Sequence, residues 1–180
     1  MRVIGGSLKG RRYQPHKRFT ERPTTDFARE SLFNVLQHRV DFDGLHAVDL
    51  FAGTGAIAYE LASRGAASVV SVEKQFANVR AIKKQLAEFD LDQVQVLCTD
   101  VFDWLSKTTI SADLVFADPP YAHPQLAELP ARVWASSLLE PGGQLVLEHG
   151  QDHRFEGIPG FDQTRKYGGV YFSFFSKPEA

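Results

Sequence analysis

From residue 46 onward, short apolar runs alternate with stretches whose apolar positions recur every three or four residues. Ala47-Val48-Asp49-Leu50-Phe51 reads as a short buried strand ended by Gly53-Thr54-Gly55, and Ile57, Ala58, Leu61 and Ala62 predict a helix stopping near Gly65. Ser68–Glu73 is a second strand, residues 75–89 an amphipathic helix, and Val94–Leu97 a third strand. Leu114–Ala117 reads as a fourth strand, and Gln144–Glu148 as a fifth after the Pro141-Gly142-Gly143 turn. Strands apolar on both faces and separated by helices imply an α/β fold with a parallel sheet covered on both sides. The end of the chain departs from this rhythm: residues 163–167 and 170–175 predict a hairpin around Gly168-Gly169, with Tyr171, Phe172, Phe174 and Phe175 supplying β propensity. At the other end, Pro23-Thr24-Thr25-Asp26 predicts a helix start, followed by Phe27, Ala28, Leu32, Phe33, Val35 and Leu36. The first ~20 residues carry Gly5-Gly6, Gly10 and Pro15 between β-prone pieces, which predicts a hairpin or an extended arm.

Composition narrows the class. With 180 residues the chain suits one domain with a small appendage, and 43% apolar residues suffice for a core. No apolar run reaches the ~18–20 residues of a membrane span, and the N-terminus lacks the pattern of a secretory signal. The single cysteine, Cys98, excludes an internal disulfide and a multi-cysteine zinc site; it is expected to be a buried small hydrophobe. The six histidines show no metal-binding spacing, so no metal is expected. These features point to the cytoplasm. The net charge of -2 hides an asymmetry: residues 1–30 hold eight basic groups against three acidic ones, leaving a basic start on an acidic body. That distribution suits a polyanion met at one end of the molecule.

Ligands of open α/β sheets sit outside the carboxyl ends of the strands, and three acids fall there. The loop Phe51-Ala52-Gly53-Thr54-Gly55 follows Asp49, and its glycines permit positive φ and close backbone approach to a ligand. Gly53-x-Gly55-x-x-Ala58 also fits the dinucleotide fingerprint. A carboxylate just before the turn would repel a pyrophosphate at the helix N-terminus, whereas it attracts the ammonium and sulfonium of S-adenosylmethionine. Glu73, followed by Lys74, can accept ribose hydroxyl protons, and Asp100 an adenine amino proton with Val101 or Phe102 beside the ring. Taken singly, Asp49 or Asp100 is as readily a loop or helix-cap aspartate.

Asp118-Pro119-Pro120-Tyr121, directly after the fourth strand, is the most specific motif. A purine amino group is a poor nucleophile because its lone pair is delocalised into the ring. Asp118 and the Pro119 carbonyl can hold the amino protons so that nitrogen pyramidalises, and two prolines keep the loop rigid. Tyr121 offers a ring on which an extruded base can stack.

Asp-Pro-Pro-Tyr is similar to the catalytic motif of amino-group methyltransferases acting on adenine, guanine or glutamine. Arg2-Val-Ile-Gly5-Gly6, Lys9-Gly10-Arg11, Arg22-Pro23-Thr24-Thr25-Asp26, Arg29-Glu30-Ser31-Leu32-Phe33-Asn34 and Ser63-Arg64-Gly65-Ala66 resemble the RsmD family of bacterial 16S rRNA guanine-N2 methyltransferases. The resemblance covers essentially the whole chain. It implies a class I S-adenosylmethionine-dependent methyltransferase sheet of seven strands with the C-terminal strand antiparallel. It also implies S-adenosyl-L-methionine as cofactor and 16S rRNA in an assembling small subunit as substrate. Gln85, where relatives commonly carry asparagine, and Lys74, where a neutral residue is usual, depart from the pattern without touching the inferred chemistry.

On this reading residues 1–40 form a basic RNA-facing arm and helix, residues 41–180 form the methyltransferase domain, and the protein is a monomer. Asp49, Phe51, Ala52, Gly53, Thr54, Gly55, Glu73, Lys74, Asp100, Val101 and Asp118 are the expected cofactor residues. Arg11, Arg12, Arg22 and Arg29 are candidate phosphate contacts that would position RNA without reading its sequence. Thr24 and Thr25 fit a helix cap better than chemistry, although their loop can border the target base. Tyr167 and Tyr171 read as hairpin packing, and Trp104 and Trp134 as core or boundary aromatics. The rival readings are an adenine-N6 methyltransferase of DNA or RNA, a nicotinamide-dependent oxidoreductase, and a non-catalytic RNA-binding assembly factor.

Overall fold

The computed structural model describes residues 1–15 and 24–179; Arg22, and the Pro23 of the predicted helix start, lie outside them. The chain runs through α1 (Asp26–Leu36), β1 (His46–Leu50), α2 (Ala56–Ser63), β2 (Ser68–Glu73), α3 (Phe76–Phe89), β3 (Val94–Cys98), α4 (Val101–Leu105), β4 (Ala112–Ala117), α5 (Leu129–Ala135), β5 (Leu139–His149), β6 (Phe161–Tyr167) and β7 (Val170–Ser176). One seven-stranded sheet has the order β3-β2-β1-β4-β5-β7-β6. The pairs β1–β2, β1–β4, β2–β3 and β4–β5 are parallel, and β7 runs antiparallel to both β5 and β6. The order reverses between β1 and β4, which opens a crevice outside the carboxyl ends of those two strands.

Side chains alternate across the pleat, so each strand feeds two cores. Phe116, Val146 and Phe174 join Leu32, Leu61 and Ile82 on the face covered by α1, α2 and α3. Val115, Leu147 and Phe175 join Leu105, Leu129 and Val133 on the face covered by α4 and α5. The last two helices have only five and seven residues, too short for the periodicity that reveals the longer ones. The fifth strand starts earlier than its apolar run: pairing shifts register between Ala112–Leu139 and Leu114–Gln144, so Pro141-Gly142-Gly143 is a bulge within β5.

The first residues form a hairpin folded onto the body. Arg2 and Arg12 make an antiparallel bridge, while Val3 and Tyr13 are buried in the same core as α1 and α2. Gly6, at φ 73°, brings the turn so close to α2 that a Cβ there would lie 1.9 Å from the Ser63 carbonyl oxygen. Among the described residues no helix is long and apolar enough to cross a membrane.

Two expectations fail at the level of single side chains. Phe27, counted on the apolar stripe of α1, is 65% exposed because it sits in the first turn, beyond the edge of the sheet core. Cys98 is exposed rather than buried, since it ends β3, the edge strand of the sheet.

Candidate active site

Asp49, Glu73, Asp100 and Asp118 all stand at the carboxyl ends of neighbouring strands, around the crevice between β1 and β4. Asp49 is buried, and its Oδ2 has no hydrogen-bond partner among the described residues. Burial pushes its carboxyl up to about 8; a hydrogen bond from the Ala58 amide works against the rise, and the charge of Glu73 adds to it. A buried acceptor left without a donor is costly, and it marks where a ligand's positive group would be received. Beyond it Phe51 takes φ 60° and Gly55 takes φ 79° at the start of α2. A Cβ on Gly55 would lie 2.7 Å from the Tyr59 ring, so the turn holds that shape only with glycine there.

Glu73 is fixed by two backbone donors: Gly53 N–H to Oε2 at 2.8 Å and Gln75 N–H to Oε1 at 2.6 Å. Each oxygen keeps a lone pair for a ribose hydroxyl. Asp100 is the N-cap of α4, accepting from the Phe102 amide at 2.9 Å and pairing through Oδ2 with Lys74 at 3.1 Å. Partial burial pushes Asp100 up, but Lys74 and the α4 amides prevail and hold it below the usual carboxylate range. Asp100 is thus the helix-cap aspartate of one sequence reading; in the other, as acceptor of an adenine amino proton, its Oδ2 would be shared with Lys74. Val101 is in the core, whereas Phe51, Phe102 and His123 form an aromatic cluster, the last two stacked at 5.2 Å. The residues present fit S-adenosylmethionine: an orphaned buried acceptor for a cation, a fixed carboxylate for a diol, and an aromatic cluster.

Asp118 leaves β4 with its amide donating to the Leu50 carbonyl at 3.2 Å, which ties the Asp118-Pro119-Pro120-Tyr121 loop to the end of β1. The His123 amide donates to the Pro120 carbonyl at 2.8 Å and closes the turn. This loop forms one wall of a pocket of about 510 Å³ whose other walls include Thr24, Thr25, Phe27, Glu148 and Tyr167. Thr25 caps α1 by accepting from the Ala28 amide, and Thr24 donates to Glu148 Oε2 at 2.8 Å. The Tyr121 hydroxyl donates to Glu148 Oε1 at 2.8 Å, and the Tyr121 ring is 38% exposed. Burial pushes the Glu148 carboxyl up, and the two hydroxyls partly oppose that rise.

The basic residues behave differently from one another. Arg29 is not a phosphate contact: it is fully buried, paired with Asp26 at 2.6 Å and Glu60 at 3.3 Å, and its guanidinium also reaches the Arg2 carbonyl. Arg11 donates to the Glu88 carbonyl and lies over Phe89, at the carboxyl end of α3. Since α3 runs back across the sheet, that end is opposite the pocket, and the structure does not bring Arg11 together with Asp118. Arg12 is exposed. Sequence reasoning missed Glu148, Phe27 and His123, and it assigned Tyr167 to packing alone. Glu148 had a signal, an acid at the carboxyl end of an otherwise apolar strand, the same signal that marks Asp49 and Glu73.

The strand order, the reversed last strand and the acids around the switch point define the class I S-adenosylmethionine-dependent methyltransferase fold. The chain belongs to the family described as Conserved hypothetical protein 95, the RsmD family of ribosomal RNA methyltransferases, whose model matches residues 1–176. It is 34% identical over 148 residues to ribosomal RNA small subunit methyltransferase D of Escherichia coli strain K12, covering 82% of this chain and 71% of that protein. The structure of a hypothetical protein from Thermus thermophilus matches with TM-score 0.85 and 31% identity, over 98% of this chain and 99% of that one. An RNA methyltransferase from Salinibacter ruber, in complex with S-adenosyl-L-homocysteine, shares the fold at TM-score 0.67 and 22% identity, over 88% and 95% of the two chains.

Proposed function

We propose that the protein transfers a methyl group from S-adenosyl-L-methionine to the exocyclic N2 amino group of a guanine in 16S rRNA, within assembling small ribosomal subunits. The observation that carries this reading is the position of Asp118-Pro119-Pro120-Tyr121, joined to the end of β1 on one side and walling the pocket on the other. Bound at the crevice, the cofactor supplies an electrophilic methyl on its sulfonium sulfur. Asp49 would receive its ammonium, Glu73 its ribose hydroxyls, and Asp100 with Phe102 its adenine.

The target guanine leaves its stack and lies against Tyr121, with the Asp118 carboxylate and the Pro119 carbonyl accepting its amino protons. Holding both protons releases the nitrogen lone pair from the ring. The alkylated nitrogen is acidic, so water removes the surplus proton and no strong general base is needed. Support for the substrate class comes from the family and from the name of the Escherichia coli relative. The guanine-N2 target rests on the motif resemblance. The protein is expected to act as a monomer in the cytoplasm.

The test is transfer of labelled methyl to small-subunit particles lacking the modification, with free rRNA and duplex DNA in parallel, followed by digestion to nucleosides. N2-methylguanosine from particles alone is the expected result. N6-methyladenine would keep the chemistry and overturn the base, and no transfer to any acceptor would favour a non-catalytic assembly factor.

A further inference from the structure

Glu148 is 3% exposed, and it accepts hydrogen bonds from two hydroxyls that come from distant parts of the chain. One oxygen takes the Tyr121 hydroxyl from the loop after β4, and the other takes Thr24 from the approach to α1, each at 2.8 Å. Taking a carboxyl group out of water is costly, and here each of its oxygens is met by a hydroxyl donor. Two residues further along, at the end of the same strand, Gly150 lies against the Tyr121 ring: a Cβ at Gly150 would come within 3.1 Å of the ring carbon Cδ2. The ring is thus held at its hydroxyl by Glu148 and flanked by Gly150, while the rest of it borders the pocket.

We propose that Glu148 is a positioning residue that locks the Tyr121 ring and Thr24 together in the lining of the base pocket before a base enters. The proposal rests on the base-methylation reading given above. A phenol ring free to rotate about its two side-chain bonds would have to be ordered when the base stacks on it. A ring already fixed carries no such cost. Thr24 is fixed by the same group, so the start of α1 and the Asp118–Tyr121 loop are set in one relative position although 124 residues separate Thr24 from Glu148. Glu148 acts through Tyr121 rather than on the reacting atoms.

The experiment is a double-mutant cycle with Glu148→Gln and Tyr121→Phe, read in two ways on the full-length protein. The first reading is NMR of protein carrying ring-labelled tyrosine, in which Tyr121 is assigned among the five tyrosines by its loss in Tyr121→Phe. Glu148→Gln is expected to move the Tyr121 ring signal and increase its mobility while the other four stay in place. The second is methyl transfer to unmodified small-subunit particles. Each single variant is expected to lower kcat roughly tenfold, with the KM for S-adenosylmethionine within about twofold of wild type, and the double variant to be no worse than the worse single.

Losses that multiply in the double variant, or a KM effect without a kcat effect, would overturn the proposal. So would a Tyr121 signal indifferent to Glu148→Gln. If the wild type itself transferred no methyl group, the methylation reading would fall, and the NMR arm would still decide whether Glu148 holds the ring. If Glu148→Gln did not fold, the kcat of Tyr121→Phe would decide: a wild-type value would refute the proposal.

Discussion

At the scale of a residue, Asp49 carries a cost in stability that its proposed role in holding the cofactor would explain. Its carboxyl ionises near 3.8 in an unfolded chain and at about 8 in the folded one. A raised acid favours folding below its unfolded value, and that contribution is lost as pH rises through the folded value. Between about pH 4 and pH 8 the folded state therefore weakens relative to a variant that mimics the protonated acid. Asp49→Asn is expected to melt like wild type near pH 4 and at a higher temperature than wild type at pH 7.5, as followed by thermal unfolding across that range. On the proposed cofactor role, the same proton would gate the ligand. An ammonium received at Asp49 draws it into its ionised form, so the Kd for S-adenosylmethionine is expected to tighten from pH 6 to about 8 and then level off. Titration calorimetry should find Asp49→Asn weaker and flat over that interval. The aspartate, its neighbouring glycines and its partner Glu73 were all legible in sequence, because acids at strand ends beside a tight turn are a local pattern. Glu148 carried the same local signal, but its meaning depended on Tyr121 and Thr24, which approach it only in the folded chain.

At the scale of elements, the N-terminal hairpin and α1 were read as a basic arm; of their described charges Arg29 is buried and Asp26 half-buried, while Arg2, Lys9, Arg11, Arg12 and Glu30 are exposed. Arg29 joins Asp26 and Glu60, while Glu60 also accepts from the amide of Gly5 and pairs with Arg64. This network staples the hairpin and α1 onto α2, and both Arg29 and Glu60 are fully buried. Removing Glu60 takes from the buried Arg29 its buried carboxylate partner and leaves it only the partly exposed Asp26. Glu60→Ala is expected to cost about 3–5 kcal/mol, measured by urea unfolding, and to loosen the hairpin first in amide exchange. Residue 29 stands three, four and seven positions before Leu32, Phe33 and Leu36, on the buried stripe of α1, a signal that Arg12 in the hairpin lacks. The distinction arises because residue 29 falls on the face of α1 that meets α2, and a helical stripe is only resolved to within one position. That tolerance also explains Phe27, one step off the buried stripe and turned toward the pocket. The α2, α3, β2 and hairpin boundaries were readable because their patterns run long enough; α4 and α5 are too short to carry one.

At the scale of the whole molecule, the parallel sheet and its reversed last strand follow from alternation along the chain, and the crevice between β1 and β4 follows from the strand order. The pocket proposed for the base does not follow from any one segment: it needs α1, the loop after β4, the end of β5 and the β6–β7 turn together. Among the described residues its RNA-facing charge is correspondingly sparse near Asp118, with Arg29 buried and Arg11 at the opposite edge. The KM for particles is therefore expected to rise only moderately with salt, with a log–log slope of about 2–3 rather than the 5 or more expected if the whole basic N-terminus bound phosphates. Steady-state rates between 50 and 300 mM salt would check this. The central claim is that the loop after β4 performs amino-group methylation beside a separate cofactor site. Single-turnover transfer from labelled S-adenosylmethionine by Asp118→Asn, with cofactor affinity measured on the same preparation, tests it most directly. The account predicts a rate lowered by about 10²–10³ with a cofactor Kd within a few-fold of wild type; a variant that transfers methyl at the wild-type rate would contradict it.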